Sequence, residues 1–435
     1  MNLSSSLRQR SADARPIGIG LIGAGKFGTM FLAQVQKTPG LRLVGIADIL
    51  PEKIQGALDK VHWTDDIPLK TSEVELLVKT AGVEVVVEAT GDPIAGAKHA
   101  LACFEAKRHL VMVNVECDAL VGPILARRAQ KAGVIYSLAY GDQPALICEL
   151  VDWAETCGFE VVCAGKGTKY LPSYHFSTPD SVWQHYGLDA EQVKAGDFNP
   201  RMFNSFIDGT KSAIEMAAVA NATGLKPPSA GLGFPPCGID DISAKLIPDK
   251  AGGILEFPGT VEVVSSLRRD ETPVVNDLRW GIYVTFSASG DYSRRCFKEY
   301  GLKTDLTGEF ASLYRPFHLI GMELGISVAS VALRGEPTGI PKSFLADVVA
   351  IAKRDLHAGD ILDGEGGYTI YGQLTSAELA ISEGALPIGL ASGLRLTQRV
   401  HQGSIVRWTN VEAPDTSLAL ELRHEMEKSF LGGYI

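Results

Sequence analysis

The feature that most constrains the fold is a glycine-rich turn near the start of the chain. Gly23, Gly25 and Gly28 form the pattern G-x-G-x-x-G directly after the apolar run Ile17–Ile22. The segment that follows, Thr29–Gln36, is compatible with a helix. A strand, a glycine turn and a helix in this order predict the unit that binds the pyrophosphate of a dinucleotide.

Short apolar runs alternate with helix-compatible stretches through the first third of the chain. Near-continuous apolar runs are typical of parallel strands, because helices cover both faces of a parallel sheet. With the glycine turn, they predict an α/β fold that begins with a doubly wound Rossmann domain. The predicted strands are Ile17–Ile22, Leu41–Ala47, Val83–Glu88, His109–Val115 and Val134–Leu138, with a further strand expected between Asp48 and Gly82.

At 435 residues the chain is long enough for several domains. The segments Asp355–Leu362 and Arg399–Val406 echo each other, with an apolar residue and His before a glycine turn, and indicate a small β module. The predicted division is a flexible tail (1–15), the Rossmann domain (16–140), an α+β substrate domain (141–335), the β module (336–412) and a C-terminal helix (413–435).

Each glycine of the turn has its own task in dinucleotide binding. Gly23 permits the tight turn, Gly25 lets backbone N–H groups approach the pyrophosphate, and Gly28 allows close packing of helix and strand. Lys26 and Phe27 lie between the last two glycines and are predicted to contact the cofactor with them.

Asp48 lies at the end of the second predicted strand, where a carboxylate accepts hydrogen bonds from the adenosine ribose. It disfavours a 2′-phosphate, so NAD is predicted in preference to NADP. The alternative is a turn aspartate that caps the following segment. Further cofactor contacts are expected where later strands end at the same sheet edge, from Ala89, Thr90, Gly91, Asn114 and Glu116.

The predicted catalytic group is Lys166, which stands between two glycines just after the apolar run Phe159–Ala164. A lysine at a strand end can act as a general acid or base. A solvated turn lysine is the alternative. Asp142 could hold a substrate hydroxyl, a metal or the lysine, and a capping aspartate is the equally plausible alternative.

Two further groups of residues are candidates for binding an anionic substrate. Asp208 and Lys211 lead into an Ala-rich helix that is closed by Gly224, and Glu215 follows Lys211 by one turn. Arg315 and His318 could clamp a phosphate or carboxylate. For Lys211 and Glu215 the alternative is an ordinary exposed Lys/Glu pair. For Arg315 it is a structural arginine that caps backbone carbonyls.

Composition excludes several classes of protein. The formal net charge is −10 and no basic run is present, which disfavours a nucleic-acid partner. No apolar stretch reaches the roughly 20 residues of a membrane helix, so no membrane partner is expected. Seven cysteines without a C-x-x-C pair predict free thiols in the reducing cytoplasm.

Several runs in order resemble a bacterial group of homoserine-dehydrogenase-like oxidoreductases that carry a SAF domain. They include Gly20–Gly25, His109–Glu116, Ala164–Gly167, Phe206–Lys211 and Arg315–Leu319. The resemblance covers about residues 16–425 and extends to the 1-deoxy-D-xylulose 5-phosphate reductoisomerase-like branch. That branch implies an NADPH enzyme that isomerises and reduces a phosphorylated ketose with a divalent metal, and a SAF (β-clip) fold for residues 336–412.

The sequence departs from that branch in two places. Asp48 stands where an NADPH enzyme is expected to carry a neutral or basic residue. Gln143 stands where the family carries Glu. The leading prediction is therefore an NAD(P)-dependent oxidoreductase, in which nicotinamide projects towards Lys166 and Asp142. Its substrate is expected to be a small polyol, ketose or hydroxy acid, phosphorylated or otherwise anionic, with coupled isomerisation and a divalent metal possible. The alternatives are a simple dehydrogenase and a non-catalytic dinucleotide sensor or assembly protein, and a homo-oligomer is expected.

Overall fold

A computed structural model describes residues 2–66, 69–195 and 198–431 of the chain. These residues form two compact units. Unit 1 contains residues 2–149, 318–342 and 418–429, and unit 2 contains residues 150–317, 343–417 and 430–431.

Helices and strands alternate along the first third of the chain. The helices there are α1 Leu3–Ala12, α2 Lys26–Val35, α3 Pro51–Lys60, α4 Val74–Lys79, α5 Pro93–Glu105, α6 Val115–Ala132 and α7 Gln143–Thr156. The strands are β1 Ile17–Ile22, β2 Leu41–Ala47, β3 Leu69–Thr71, β4 Val85–Glu88, β5 His109–Met112 and β6 Tyr136–Leu138.

The middle of the chain is richer in helices. These are α8 Val182–Tyr186, α9 Ala190–Ala195, α10 Pro200–Ile207, α11 Thr210–Thr223, α12 Ile242–Lys245, α13 Gly290–Glu299 and α14 Gly325–Arg334. The strands are β7 Glu160–Thr168, β8 Thr260–Ser265, β9 Ile282–Ser287 and β10 Phe310–Arg315. The last part contains β11 Ala346–Ala352, β12 Ile370–Ser376, α15 Ala377–Ser382 and α16 Leu418–Leu431.

The six strands of unit 1 form a parallel sheet in the order β3-β2-β1-β4-β5-β6. The order reverses between β1 and β4, which creates the switch point where α/β folds bind ligands. The predicted doubly wound fold is confirmed, and β1 and β2 have their predicted bounds. Strand β5 ends before its predicted end because Asn114 already caps α6, accepting a hydrogen bond from the Cys117 N–H at 3.1 Å.

The prediction of a flexible tail over residues 1–15 is wrong, because these residues include helix α1. Leu7 is buried in the core of unit 1, and Arg10 Nη2 lies 2.7 Å from Glu84 Oε2. Leu7 is the only buried residue of this polar helix. Leu3, one helical turn earlier, is partly buried against the same core. Two leucines in an otherwise polar helix make too short a pattern to be recognised in the sequence.

Unit 2 contains a four-stranded mixed sheet in the order β10-β9-β7-β8. Strand β7 pairs parallel with β8 and antiparallel with β9. The predicted Ala-rich helix is α11, and it ends at Gly224, whose φ is 86°. Every residue of α11 except Lys211 and Thr223 is buried. The helix contacts β7 and β8 and also β11 and β12, so it is the centre of the unit.

The echo in the sequence corresponds to a repeat in the structure. Leu356 and Val400 face each other and exchange both backbone hydrogen bonds, at 2.9 and 3.0 Å. Gly359 and Gly403 both adopt positive φ, 95° and 78°. In one copy the Asp360 N–H donates to the His357 carbonyl oxygen, and in the other the Ser404 N–H donates to the His401 carbonyl oxygen, each at 3.0 Å. Assignment of this region to a SAF domain stays a prediction.

The two units divide the chain at positions other than the predicted domain boundaries. Residues 318–342 carry α14, and the buried side chains of that helix belong to the core of unit 1. Residues 343–417 share unit 2 with residues 150–317. The division into separately folding domains at 140, 335 and 412 stays a prediction. No helix within the described ranges has both the length and the apolar composition needed to cross a membrane.

The packing of helix α1 against the core of unit 1 through Leu7 can be tested by hydrogen exchange. We expect Leu7→Ala to lower the free energy of opening of α1 by about 2 kcal/mol, because truncating a buried leucine costs roughly 2–5 kcal/mol. Backbone amides of α1 should then exchange faster. Leu306→Ala, at a fully exposed leucine, is the matched control and should change nothing. Unprotected α1 amides in the unaltered protein would contradict the docked helix.

Candidate functional site

The glycine turn between β1 and α2 has the geometry that the sequence predicts. Gly23 has a φ of 95°, and a side chain on Gly28 would come within 2.2 Å of the Gly23 carbonyl oxygen. Gly25 is the N-cap of α2, and nothing lies within 4 Å of the position its Cβ would take. Lys26 and Phe27 follow in the first helical turn. The turn thus presents an open helix N-terminus that fits a pyrophosphate.

Asp48 follows β2 and binds the glycine turn directly. Its Oδ2 accepts a hydrogen bond from the Ala24 N–H at 2.8 Å, and its Oδ1 accepts one from the Leu50 N–H at 2.9 Å. The second bond is an Asx turn, and it is not the capping role left open as an alternative, because the N-cap of α3 is Leu50. Because the side chain is only partly buried, its carboxylate sits beside the turn with negative charge available to a ribose.

A hydrogen bond joins the residues that follow β4 to those that follow β5. Ala89, Thr90 and Gly91 follow β4, and Thr90 and Gly91 are exposed. Asn114 is 1% exposed, and its Nδ2 donates to Thr90 Oγ1 at 3.3 Å. Glu116 lies in the first turn of α6. Asn114 therefore holds the loop that carries Thr90, whereas Thr90 itself is open to a ligand.

Sequence reasoning missed the buried carboxylate beneath this loop, Glu88. Its Oε1 accepts a hydrogen bond from Thr90 Oγ1 and lies 3.1 Å from His99 Nδ1. Glu88 is the last residue of β4, an apolar strand, and its full burial could not be read from that position. It fixes the Thr90 hydroxyl at the carboxyl edge of the sheet.

Lys166 lies within the last three residues of a strand, close to the predicted strand end and not in the turn of the alternative interpretation. Strand β7 continues to Thr168, and Lys166 faces Val263 on β8 and Ile282 on β9. A side chain at Gly165 would come within 1.8 Å of a backbone oxygen of β8, and one at Gly167 within 1.9 Å of the Leu278 oxygen. The glycines are therefore required by close packing. At 5% exposure, Lys166 is also not the solvated lysine of the alternative interpretation.

The Lys166 ammonium forms a buried ion pair with Glu215 on α11. Its Nζ donates to Glu215 Oε2, and Glu215 is 3% exposed. An ammonium has three N–H donors. Among the described residues, no other side chain or carbonyl accepts from this Nζ. Two donors of this buried cation therefore have no acceptor among the described residues.

Asp208 pairs with a second buried lysine, Lys353, which sequence reasoning missed. Lys353 Nζ donates to Asp208 Oδ2 at 2.7 Å and to the carbonyl oxygens of Ser177 and Gly367, each at 2.8 Å. All three of its donors are used. His175 Nδ1 lies 2.7 Å from the Asp208 carbonyl oxygen, and burial lowers the pKa of His175. No local motif marks Lys353, because its partners lie far away in the sequence.

Four further predicted residues are Asp142, Lys211, Arg315 and His318. Asp142 Oδ1 accepts from the Gln143 N–H at 2.9 Å, at the start of α7, as its capping alternative predicts. Lys211 is half-buried in the first turn of α11. Arg315 ends β10 in unit 2, and its Cζ lies 4.9 Å from the Phe317 ring centre. His318 is the first residue of the next segment of unit 1. The functions of these four residues stay predictions.

Two family models match the chain. Residues 17–113 match a model described as "Oxidoreductase family, NAD-binding Rossmann fold", of the Gfo/Idh/MocA group. Residues 141–324, which contain Lys166, match "Oxidoreductase DRL, catalytic domain". Both matched segments are therefore similar to domains of oxidoreductases. The glycine turn and Asp48 lie within the NAD-binding match, as the geometry requires. The likeness to homoserine dehydrogenases stays a prediction.

No curated protein matches the sequence. Solved structures with similar folds include a probable dehydrogenase from Thermotoga maritima, with 14% identity over 74% of this chain and 90% of that one, and a TM-score of 0.38. The WlbA dehydrogenase from Bordetella pertussis, in complex with NADH and UDP-GlcNAcA, has 20% identity over 37% and 49%, with a TM-score of 0.29. A DOX-P reductoisomerase with magnesium has 14% identity over 48% and 58%, with a TM-score of 0.34. The chain thus spans about half the length of the last two, and these similarities carry no inference about its substrate.

In the part of the chain that the structure describes, no three His, Cys, Asp or Glu side chains are grouped so that they could hold a metal ion. The possible divalent metal stays a prediction.

Cofactor choice at Asp48 can be tested by binding. A 2′-phosphate about 4 Å from this carboxylate would be repelled by roughly 4 kcal/mol at an effective dielectric constant near 20, before screening by solvent. We expect NADH to bind at least tenfold more tightly than NADPH. Asp48→Asn keeps an oxygen that can accept from one backbone N–H but removes the charge, and should improve NADPH binding. The measurement is the fluorescence-detected Kd of each dinucleotide.

Glu52→Gln, at an exposed carboxylate in the first turn of α3, is the control and should leave the ratio of the two Kd values unchanged. Equal or tighter binding of NADPH by the unaltered protein would show that Asp48 does not read the ribose.

Proposed function

We propose that the chain catalyses reversible hydride transfer between NAD and a small polyol, ketose or hydroxy acid that carries a phosphate or other anionic group, with Lys166 as the general acid and base. The observation that carries this proposal is the buried Lys166 ammonium, which pairs with Glu215 and keeps two donors available. Coupled isomerisation rests on the resemblance alone, and simple dehydrogenation is its alternative.

Lys166 supplies the proton that hydride chemistry needs. Bound NAD donates or accepts the hydride. In the reducing direction, Lys166 Nζ gives a proton to the substrate carbonyl oxygen, which becomes the hydroxyl of the product. In the oxidising direction, the neutral amine takes the hydroxyl proton as the carbinol carbon loses its hydride, so atoms and charge balance.

Glu215 has a positioning role in this scheme. Its carboxylate on α11 accepts a hydrogen bond from one of the three N–H donors of the Lys166 ammonium. A buried cation without a partner would cost several kcal/mol. Because α11 is itself buried, the ion pair holds Nζ in one place and excludes bulk water from it.

The proposed reaction class can be tested with a substrate panel. Polyols, hydroxy acids and ketose phosphates are each mixed with the protein and with NAD+ or NADH, and the change in absorbance at 340 nm is followed. We expect turnover of an anionic member of the panel. Tight NADH binding with no turnover of any member would favour the non-catalytic sensor.

Lys166→Met tests the acid–base assignment. We expect kcat to fall by on the order of 10²-fold or more with dinucleotide binding intact. Breaking a buried pair leaves Glu215 uncompensated and can cost 3–5 kcal/mol. The double variant Lys166→Met/Glu215→Gln removes both charges and should recover the melting temperature but not kcat.

Lys226→Met, at an exposed lysine of unit 2, is the matched control and should keep kcat unchanged. If the double variant retained half of the original kcat, Lys166 would not be the acid or base.

A further inference from the structure

Two cations, Lys169 and Arg279, contact neighbouring residues of one short helix in unit 2. Lys169 follows the end of β7, and its Nζ donates to the carbonyl oxygen of His185 in α8. The Arg279 Cζ lies 5.8 Å from the ring centre of Tyr186, the next residue of the same helix. The backbone of Arg279 packs closely against β7, because its N would lie 2.9 Å from a Cβ on Gly167.

Within residues 2–66, 69–195 and 198–431, these two cations have no carboxylate partner. Among the described residues, neither Lys169 Nζ nor the Arg279 guanidinium forms an ion pair. The Asp277 carboxylate contacts the backbone of Arg279 and not its guanidinium, because its Oδ1 accepts from the Arg279 backbone N–H at 2.8 Å. The guanidinium keeps all five of its donors, and the ammonium keeps two.

The surroundings make this arrangement unfavourable without an anion. Both side chains are half-buried. Burial and the neighbouring Arg279 charge lower the pKa of Lys169, in that order. Aromatic rings lie beside the guanidinium, with Trp280 at 4.7 Å from Arg279 Cζ and Tyr186 at 5.8 Å. Like charges held together in this way repel each other, and a bound anion would remove the repulsion.

We propose that Lys169 and Arg279 form a binding site for an oxyanion, the phosphate or carboxylate group of a small ligand. A planar guanidinium binds such a group with two parallel hydrogen bonds, and an ammonium adds a point charge. The aromatic side chains of α8 and Trp280 form an apolar wall beside the site.

The site lies three residues beyond Lys166 on the same chain segment, about 10 Å along an extended backbone. A phosphate bound there would belong to a substrate of the size named above. This assignment to the substrate rests on the proposed function, whereas anion binding itself does not.

The test is calorimetric titration of the full chain with inorganic phosphate, in the presence of saturating NADH so that the glycine turn is occupied. We expect phosphate to bind, and K169M and R279M each to weaken it about tenfold, as loss of a charge-assisted hydrogen bond predicts. Titration with acetate distinguishes a general oxyanion site from one that requires a phosphate.

R295M is the matched control, because Arg295 Cζ also lies 5.8 Å from an aromatic ring centre, that of Tyr292. It should bind phosphate as the unaltered protein does. Circular dichroism and melting temperature establish that each variant is folded. Absence of phosphate binding in the unaltered protein, or unchanged binding in folded K169M and R279M, would overturn the site.

The link to the substrate is tested separately with any anionic substrate found in the panel. We expect R279M to raise its KM about tenfold with a smaller change in kcat, and an unchanged KM would overturn this link. Phosphate binding that depends on Lys169 and Arg279, in a protein without hydride transfer, would support the site and refute the proposed function. The two failures are therefore distinguishable.

Discussion

Unit 2 depends on how two carboxylates are neutralised at one buried helix. Helix α11 contacts both the mixed sheet and the β11/β12 pair, so the carboxylates of Glu215 and Asp208 lie far from water. Each binds a lysine from a different sheet region, Lys166 from β7 and Lys353 from the end of β11. A buried carboxylate without a cation would destabilise the fold by several kcal/mol. The two ion pairs thus fix how α11 meets both sheet regions.

The parts of the fold that sequence predicts are those that depend on neighbouring residues. The buried strands of unit 1 are near-continuous apolar runs, and the glycine turn places a φ of 95° at Gly23 where only glycine is comfortable. Helix α11 is bounded by Gly224 for a similar local reason. The repeat at Gly359 and Gly403 also leaves a visible pattern. Periodicity and turn chemistry therefore recover the Rossmann sheet and the glycine turn that follows its first strand.

What sequence could not predict depends on contacts between distant residues. Lys353 binds Asp208 across 145 positions, and Lys166 binds Glu215 across 49. The pattern Gly-Lys-Gly reads as a turn, whereas in the fold both glycines are needed because other backbone segments press against β7. Helix α1 packs against the core through Leu7 and the partly buried Leu3. In each case the deciding interaction is tertiary, and composition around the residue gives no sign of it.

The two buried lysines of unit 2 differ in a way that separates structure from chemistry. Lys353 gives all three donors to fixed acceptors of the protein, which is how a structural cation satisfies its hydrogen bonds. Lys166 gives only one, to Glu215. Leaving a buried donor unsatisfied costs about 1–3 kcal/mol, and a better-paired lysine at the same place would be more stable. A fold that satisfies Lys353 fully but leaves donors on Lys166 gives up stability at the position where the proposed reaction requires a proton donor.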